Sequence, residues 1–173
     1  MEKNNETANA VVLTKEQEAL VEKVKSNIML KEQEELALFD LPIGRRKEVL
    51  LAYVADSYLY DASHLRIFDL PADERKEILL ALCANEGFYL CNEADVKLFD
   101  LPENERKEIL PTYVKDHWLG NEAELKLFDL PKEERDEILP AYMDEYELYP
   151  ETKDKFDALP AEERAEIEKK LKK

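Results

Sequence analysis

Glycine, cysteine and histidine are all scarce in this chain of 173 residues, and each scarcity excludes a class of site. Three glycines are too few for a Gly-rich phosphate-binding loop of either common type. Cys83 and Cys91 form no CxxC pair, which excludes a disulfide framework and predicts a reducing compartment. His64 and His117 have no HxxxH or HExxH neighbour, so the sequence predicts no metal site.

Long apolar runs are also absent, and basic residues are outnumbered by acidic ones. The 25 Lys and Arg residues stand against 41 Asp and Glu residues, which gives a net charge of -16. No run approaches the ~20 apolar residues that span a bilayer. The negative charge opposes direct contact with nucleic-acid phosphates or with an anionic membrane, and the polar N-terminus has no signal-peptide pattern. We therefore expect a cytoplasmic protein that binds neither nucleic acid nor membrane.

A repeated block is the main positive feature of the sequence. The tetrapeptide Phe-Asp-Leu-Pro occurs four times and Leu-Pro opens a degenerate fifth copy, with the prolines at Pro42, Pro71, Pro102, Pro131 and Pro160. Successive prolines are 29, 31, 29 and 29 residues apart. A period of this kind predicts one supersecondary unit that is stacked on itself.

Each unit is predicted to be a hairpin of two helices, because glycine is scarce and Glu, Lys, Leu and Ala are abundant. Asp129 is a suitable N-cap for the second helix of its unit, with Pro131 in the first turn. That helix carries an apolar stripe made of Ile138, Leu139, Tyr142 and Met143. A single hairpin cannot bury such a stripe, so neighbouring units must cover it.

These patterns predict an all-α fold, a short right-handed α-solenoid of about five ~29-residue helix-hairpin repeats between half-unit caps. We expect a disordered tail at residues 1–10, an N-terminal capping helix region at 11–35 and a repeat array at 36–173. The array divides into 36–64, 65–95, 96–124, 125–153 and a C-terminal cap at 154–173. Pro111 and Pro140 fall inside second helices, where they predict kinks or breaks. The polar last helix favours a monomer or a weak oligomer.

Two charged residues recur at fixed distances after each proline. Arginine stands four places after it and glutamate six places after it, at Arg46, Arg75, Arg106, Arg135 and Arg164 and at Glu48, Glu77, Glu108, Glu137 and Glu166. We interpret them as a structural ladder, in which each guanidinium group binds an acidic group of its own or the adjacent unit. The Asp before the Leu-Pro pair is one such acidic group. The alternative is a row of guanidinium groups that binds an acidic ligand.

Aromatic residues near the turns between units are candidates for partner binding, namely Tyr60, Tyr89, Trp118 and Tyr149. They lie beyond the apolar stripe, where tyrosine and tryptophan are typical anchors of protein interfaces. The alternative is that these rings only close the turns. Four residues at stripe positions are instead predicted to belong to the core: Tyr53, Cys83, Tyr113 and Tyr142.

No pattern of catalytic residues accompanies the repeat. Carboxylates are abundant, but nothing marks one pair for acid–base chemistry, and no nucleophile elbow is present. We expect a non-enzymatic protein–protein interaction module without a cofactor, a helical scaffold that binds a protein or peptide partner. The alternative is an acidic inhibitor that mimics nucleic acid and blocks a basic site on a partner protein.

Overall fold

The computed structural model describes residues 12–85 and 89–171, in which all regular structure is helical. Eleven α-helices follow one another along these residues: α1 Lys15–Lys25, α2 Glu32–Leu38, α3 Ile43–Asp56, α4 Asp61–Ile67, α5 Ala72–Cys83, α6 Asn92–Phe99, α7 Glu103–Asp116, α8 Asn121–Lys126, α9 Lys132–Glu145, α10 Pro150–Asp157 and α11 Ala161–Leu171. A 3-10 turn, Leu127–Asp129, follows α8. None of these helices is both long enough and apolar enough to cross a membrane. The all-α prediction is confirmed, whereas the tail predicted at residues 1–10 lies outside the described residues.

Helix α1 begins with the capping box that its sequence contains. The backbone N–H of Gln17 donates to Thr14 Oγ1 at 3.2 Å, and the backbone N–H of Thr14 donates to Gln17 Oε1 at 3.0 Å. The helix buries Leu20, Val21 and Val24 on the face that meets α3. It therefore covers the apolar side of the first hairpin.

The helices after α1 form five pairs, one around each of the five repeated prolines, and the unit bounds predicted at 36, 65, 96, 125 and 154 fall inside first helices. Each unit has a short first helix of 6 to 8 residues (α2, α4, α6, α8 or α10) and a longer second helix of 11 to 14 residues (α3, α5, α7, α9 or α11). Every second helix contacts the second helix of the next unit, and every first helix contacts the next first helix. Equivalent positions of successive units therefore lie side by side, and one apolar cluster extends through them.

The apolar stripe of the second helices is buried as predicted, except that Met143 on α9 is only partly buried. In α7, each of the four stripe residues is at most 1% exposed: Ile109, Leu110, Tyr113 and Val114. Cys83 occupies the same stripe in α5 and is also buried. Complete burial of one such aliphatic side chain stabilises a fold by roughly 1.5–3 kcal/mol, so the stripe is the main source of cohesion between units.

The second helices begin differently from the prediction. Their N-cap positions are the prolines themselves, and no side chain caps α3, α5, α7 or α9. Leu130 is extended, with φ -66° and ψ 148°, as a residue before proline tends to be. Asp129 is therefore too far from the first turn of α9, and its exposed carboxylate faces Lys155 at 3.9 Å instead.

Of the kinks or breaks predicted at the two internal prolines, the breaks are wrong and the kinks stay a prediction. Helices α7 and α9 run without interruption through Pro111 and Pro140, and each has 14 residues, as α3 does. A proline removes one i→i−4 hydrogen bond. Both helices, however, pack against second helices on two sides, α7 against α5 and α9 and α9 against α7 and α11. Burial of their stripes thus keeps the helical path despite the missing bond.

Candidate functional site at the loops between units

The two ends of the hairpins differ in chemistry. We call the turns within units the proline edge, residues 40–42, 69–71, 100–102, 129–131 and 158–160. We call the connections that lead into each first helix the loop edge, residues 26–31, 57–60, 84–91, 117–120 and 146–149, of which 86–88 lie outside the described residues. At the loop edge, hydrogen bonds tie loops to the first helix of the preceding unit, and at the proline edge ion pairs tie successive units together.

Arginine–glutamate pairs occupy the proline edge. Arg106 on α7 donates from Nε and Nη2 to the two carboxylate oxygens of Glu134 on α9, at 2.7 and 2.8 Å. Its Nη1 donates to the carbonyl oxygens of Phe99 and Leu101, at 3.4 and 3.1 Å, and so satisfies acceptors at the end of α6. The same pairing recurs in Arg46–Glu74, Arg75–Glu105 and Arg135–Glu163.

The acidic partner in these four pairs belongs to the adjacent unit, but it is not the Asp before the Leu-Pro pair. Arg46, Arg75, Arg106 and Arg135 each bind the glutamate three places after the next proline, not the one six places after a proline. The latter are exposed, and where they form ion pairs their partners are other bases: Arg45 for Glu48, Lys47 for Glu77, Lys76 for Glu108 and Lys132 for Glu166. Glu137 is exposed as well.

The guanidinium groups of units one to four are engaged in these pairs and nearly covered. The side chains of Arg46, Arg75, Arg106 and Arg135 are only 13–14% exposed. In unit five, Arg164 donates to the carbonyl oxygen of Asp157 at 2.8 Å. A row of exposed arginines that could bind an acidic ligand is therefore not available in units one to four.

A second ladder, which the sequence analysis missed, lies beneath the loop edge. Asp95 on α6 accepts from the hydroxyl of Tyr113 at 2.7 Å and from the backbone N–H of Gly120 at 3.3 Å. Glu124 does the same with Tyr142 and the N–H of Tyr149, both at 2.8 Å. Glu35 repeats it in unit one with Tyr53 and the N–H of Tyr60. Each buried carboxylate thus fixes the loop of the following unit.

Burial changes the acidity of this ladder. It raises the pKa of Asp95 to about 6, against the opposing effect of its two hydrogen bonds, and it also raises the pKa of Glu35. Burial next to these carboxylates raises the pKa of Tyr53 to about 12 and that of Tyr113 further still. The tyrosines therefore remain protonated and act as donors to the carboxylates.

Exposed apolar side chains form a row along the loop edge. Met29, Tyr58, Tyr89 and Trp118 each stand two residues before the N-cap of a first helix, and they are 71, 60, 58 and 47% exposed. The next residue in each loop is a buried leucine: Leu30, Leu59, Leu90 or Leu119. The leucine anchors each loop in the core and the residue before it is presented to solvent.

The four aromatic residues chosen from sequence belong to this edge but not to one position in the repeat. Tyr89 and Trp118 are members of the row, whereas Tyr60 and Tyr149 are the N-cap residues of α4 and α10. The rings of Trp118 and Tyr149 are 5.3 Å apart between centroids. Tyr89 meets His117 edge-on at 6.0 Å. The rings of adjacent loops thus lie close together, while their role in partner binding stays a prediction.

Three potential metal ligands come together where α4 meets the loop before α6. A carboxylate oxygen of Asp61, a ring nitrogen of His64 and the sulfur of Cys91 lie within 4.8 Å of one another. His64 replaces the buried carboxylate of the second ladder here, and its Nδ1 accepts from the backbone N–H of Cys91 at 3.1 Å. Nδ1, which lies 3.9 Å from the Asp61 carboxylate, is therefore already engaged by the backbone.

An open groove of about 640 Å³ lies between the N-terminal ends of α6 and α8, beside the loops that carry Tyr89 and Trp118. Gly120 forms part of its wall. A Cβ atom at Gly120 would lie 2.7 Å from Asn92 Oδ1, so a larger residue there would displace the Asn92 side chain. The groove offers polar side-chain atoms from Asn92, Glu93, Asn121 and Glu122.

The chain matches no protein-family model, no curated protein and no solved structure. What it does is therefore inferred from its own residues and their geometry.

Proposed function

We propose that the protein is a non-enzymatic protein–protein interaction module, a short right-handed α-solenoid that binds a protein or peptide partner along its loop edge. The observation that carries this proposal is the row of Met29, Tyr58, Tyr89 and Trp118. Large apolar side chains that recur at one position and stay exposed have no role in the core. Tyrosine and tryptophan are also among the residues that contribute most to binding energy at interfaces.

The scaffold beneath the row supports the same proposal. Buried leucines and the second ladder fix each loop to its neighbours, so the exposed rings are held in place before a partner arrives. Rings that are already ordered lose little conformational entropy on binding. Stacked hairpins also present an extended surface, which is the usual way in which helical repeat proteins bind partners.

An acidic inhibitor that mimics nucleic acid is the second candidate. The net charge of -16 and the exposed glutamates six places after each proline favour it. Lysines or arginines pair with four of those five glutamates, which reduces the resemblance to a row of phosphates. The loop edge is therefore the better-supported binding surface.

Partner capture with matched variants tests the first proposal. The tagged chain, a Tyr89→Ala/Trp118→Ala variant and an Ile43→Ala control are immobilised and exposed to the same lysate. Ile43 is 70% exposed at the proline edge, so its replacement removes apolar surface elsewhere. We expect a partner that the wild type and the control capture and that the edge variant loses, while all three keep the same helical circular dichroism.

Equal capture by the folded edge variant would show that the loop edge is not the binding surface. Release of the captured partner by duplex DNA at low salt would instead favour the inhibitor, because a mimic and the DNA compete for one basic site.

A further inference from the structure

The loop edge carries a large excess of acid over base. Around its last four loops, the stretches 55–61, 84–93, 115–122 and 144–151 hold ten Asp or Glu residues and one lysine, Lys115, whereas the first loop, 26–31, holds Lys31 and no acid. At the proline edge, by contrast, arginines pair with the buried glutamates. The loop edge therefore keeps negative charge that its own loops do not neutralise.

Three of these carboxylates stand at the C-terminal ends of second helices. Asp56 ends α3, Asp116 ends α7 and Glu145 ends α9. The C-terminus is the negative end of the helix dipole, so a carboxylate there lowers helix stability. In residues 12–85 and 89–171, none of the three lies within 4 Å of a lysine or arginine nitrogen. Their placement does not serve the stability of the fold.

Exposed rings lie close to these carboxylates. Asp56 stands two residues before the exposed Tyr58, and the Tyr89 ring meets His117, which directly follows Asp116, edge-on at 6.0 Å. Burial raises the pKa of Tyr146, and Tyr89, Asp116 and Glu145 raise it further, in agreement with this placement. Trp118 follows Asp116 by two residues. A cation at this edge would meet both the face of an aromatic ring and a carboxylate, two groups that each attract it.

The groove between α6 and α8 adds oxygen acceptors beside Trp118. Its carboxylates come from Glu93 and Glu122, both exposed, and Lys97 also lines it, with its ammonium group 6.0 Å from the centre of the Phe68 ring. A lysine or arginine side chain of a partner has the length and the donors to occupy such a groove.

We propose that the loop edge binds an extended, lysine- or arginine-rich segment of the partner protein, whose cations stack on Tyr58, Tyr89 and Trp118 and pair with Asp56, Asp116 and Glu145. This inference rests on the proposed interaction function and specifies the chemistry of its partner. Charge complementarity is the reason for choosing a basic segment. A purely apolar partner would leave the unpaired carboxylates desolvated at the interface, which is unfavourable.

The spacing of the units sets the spacing of the cations. Packed helices are about 8–10 Å apart, and an extended chain advances about 3.3 Å per residue, so one unit corresponds to about three residues of the bound segment. A suitable probe is therefore a fluorescein-labelled peptide of Arg-Ser-Ser repeats that spans four units. The matched peptide carries Gln in place of Arg.

Fluorescence anisotropy at low salt compares three variants of the full chain with the wild type. Asp116→Asn/Glu145→Gln removes two charges from the edge, and Glu133→Gln/Glu137→Gln removes two exposed charges from α9 near the proline edge. Trp118→Leu keeps an apolar side chain and removes the ring face. We expect the Kd for the Arg peptide to rise at least tenfold in the edge variant and in Trp118→Leu, and less than twofold in the α9 control.

Equal weakening by the edge and α9 variants would overturn the inference, since the peptide would then respond to net charge alone. Equal affinity for the Gln peptide would overturn it as well, because cations would have no role. If the Arg peptide does not bind while captured partner is still lost on replacement of Tyr89 and Trp118, the partner chemistry is wrong and the interaction function stands. If the Arg peptide does not bind and the Tyr89/Trp118 variant still captures the partner, both the basic-segment proposal and the interaction function at the loop edge are wrong.

Discussion

At the residue scale, the buried carboxylates beneath the loop edge show that two positions of the repeat change together from one unit to another. Units one, three and four pair an acid on the first helix with a tyrosine on the second. In unit two the tyrosine position holds Leu82, and the acid position holds His64. A buried carboxylate that has lost its hydroxyl donor is costly, whereas burial lowers the pKa of His64 and keeps the imidazole neutral. The two replacements are therefore physically coupled.

Asp95→Asn should change how stability depends on pH. The native pKa of Asp95 is about 6, above the ordinary aspartate value, so between pH 6 and 4 the folded chain binds a proton more readily than the unfolded chain. This group therefore contributes stability that increases as the pH falls through 6. We expect the free energy of unfolding of wild type, relative to Asp95→Asn, to rise by about 1 kcal/mol between pH 7.5 and pH 5, measured by urea denaturation.

Asp100→Asn is the matched control, because Asp100 is exposed at the proline edge of the same unit. Its difference from wild type should stay nearly constant over the same pH range. A difference between wild type and Asp95→Asn that also stays constant would show that Asp95 is not desolvated in the folded chain.

At the scale of helices, periodicity predicted which elements form but not how they begin or connect. The apolar stripes predicted the second helices correctly because apolar residues at helical spacing lie on one face, and that face is the one that becomes buried. The caps were wrong because the extended residue before each proline moves Asp129 away from the helix, a backbone effect that residue type does not reveal. The breaks at Pro111 and Pro140 were wrong because packing on two sides outweighs one missing hydrogen bond.

The partner of each arginine could not be chosen from the repeat alone. Glutamates stand both three and six places after the prolines, so either could have formed the ladder. One signal was present in the sequence. In unit one, the position three places after Pro42 holds Arg45 and not glutamate. The helix that packs before this unit is α1, which has no arginine to bind a glutamate there. At the position three places after the proline, a buried glutamate therefore occurs only where the preceding unit supplies a guanidinium group.

Glu134→Gln should destabilise the junction between α7 and α9. The carboxylate is 4% exposed and binds Arg106 through two hydrogen bonds, so its neutralisation leaves a largely covered guanidinium group without its counter-charge. Removal of one member of a buried ion pair costs about 3 kcal/mol. We expect a decrease of that size in the free energy of unfolding, measured by urea denaturation with an unchanged m-value.

Glu137→Gln, one turn later on α9, is the control for this variant. Glu137 is exposed, and surface substitutions of this kind change stability by about 0.5 kcal/mol or less. Equal effects of the two variants would show that the Arg106–Glu134 pair does not hold the units together.

At the scale of the whole molecule, the sequence located the loop edge but gave only part of its surface. Tyr89 and Trp118 were recognised as edge residues, while Met29 and Tyr58 were missed. Their common position becomes visible when residues are counted back from the proline of each unit, because all four stand 13 places before it, whereas the two-residue insertion between α5 and α6 shifts a count from the preceding proline. That an exposed side chain precedes a buried leucine in the first four loops required the structure.

The charge of the whole chain makes a prediction of its own. A net charge of -16 repels itself most in the compact state, and the unpaired carboxylates of the loop edge add to that repulsion. The Debye length falls from about 30 Å at 0.01 M salt to about 10 Å at 0.1 M, which screens exposed charges but has little effect on buried pairs. The melting temperature should therefore rise between these salt concentrations, by about 2–4 °C for each 1 kcal/mol of repulsion that is relieved.

Thermal denaturation followed by circular dichroism measures this rise, and the Asp116→Asn/Glu145→Gln variant tests its origin. With two edge charges removed, the variant should melt higher than wild type at 0.01 M salt, and the gap should narrow at 0.1 M because less repulsion is left to screen. A melting temperature that falls as salt is added would mean that exposed ion pairs such as Lys76–Glu108 outweigh the self-repulsion. In that case the carboxylates at the ends of α3, α7 and α9 would not destabilise the free protein, and a basic partner would relieve no repulsion between them.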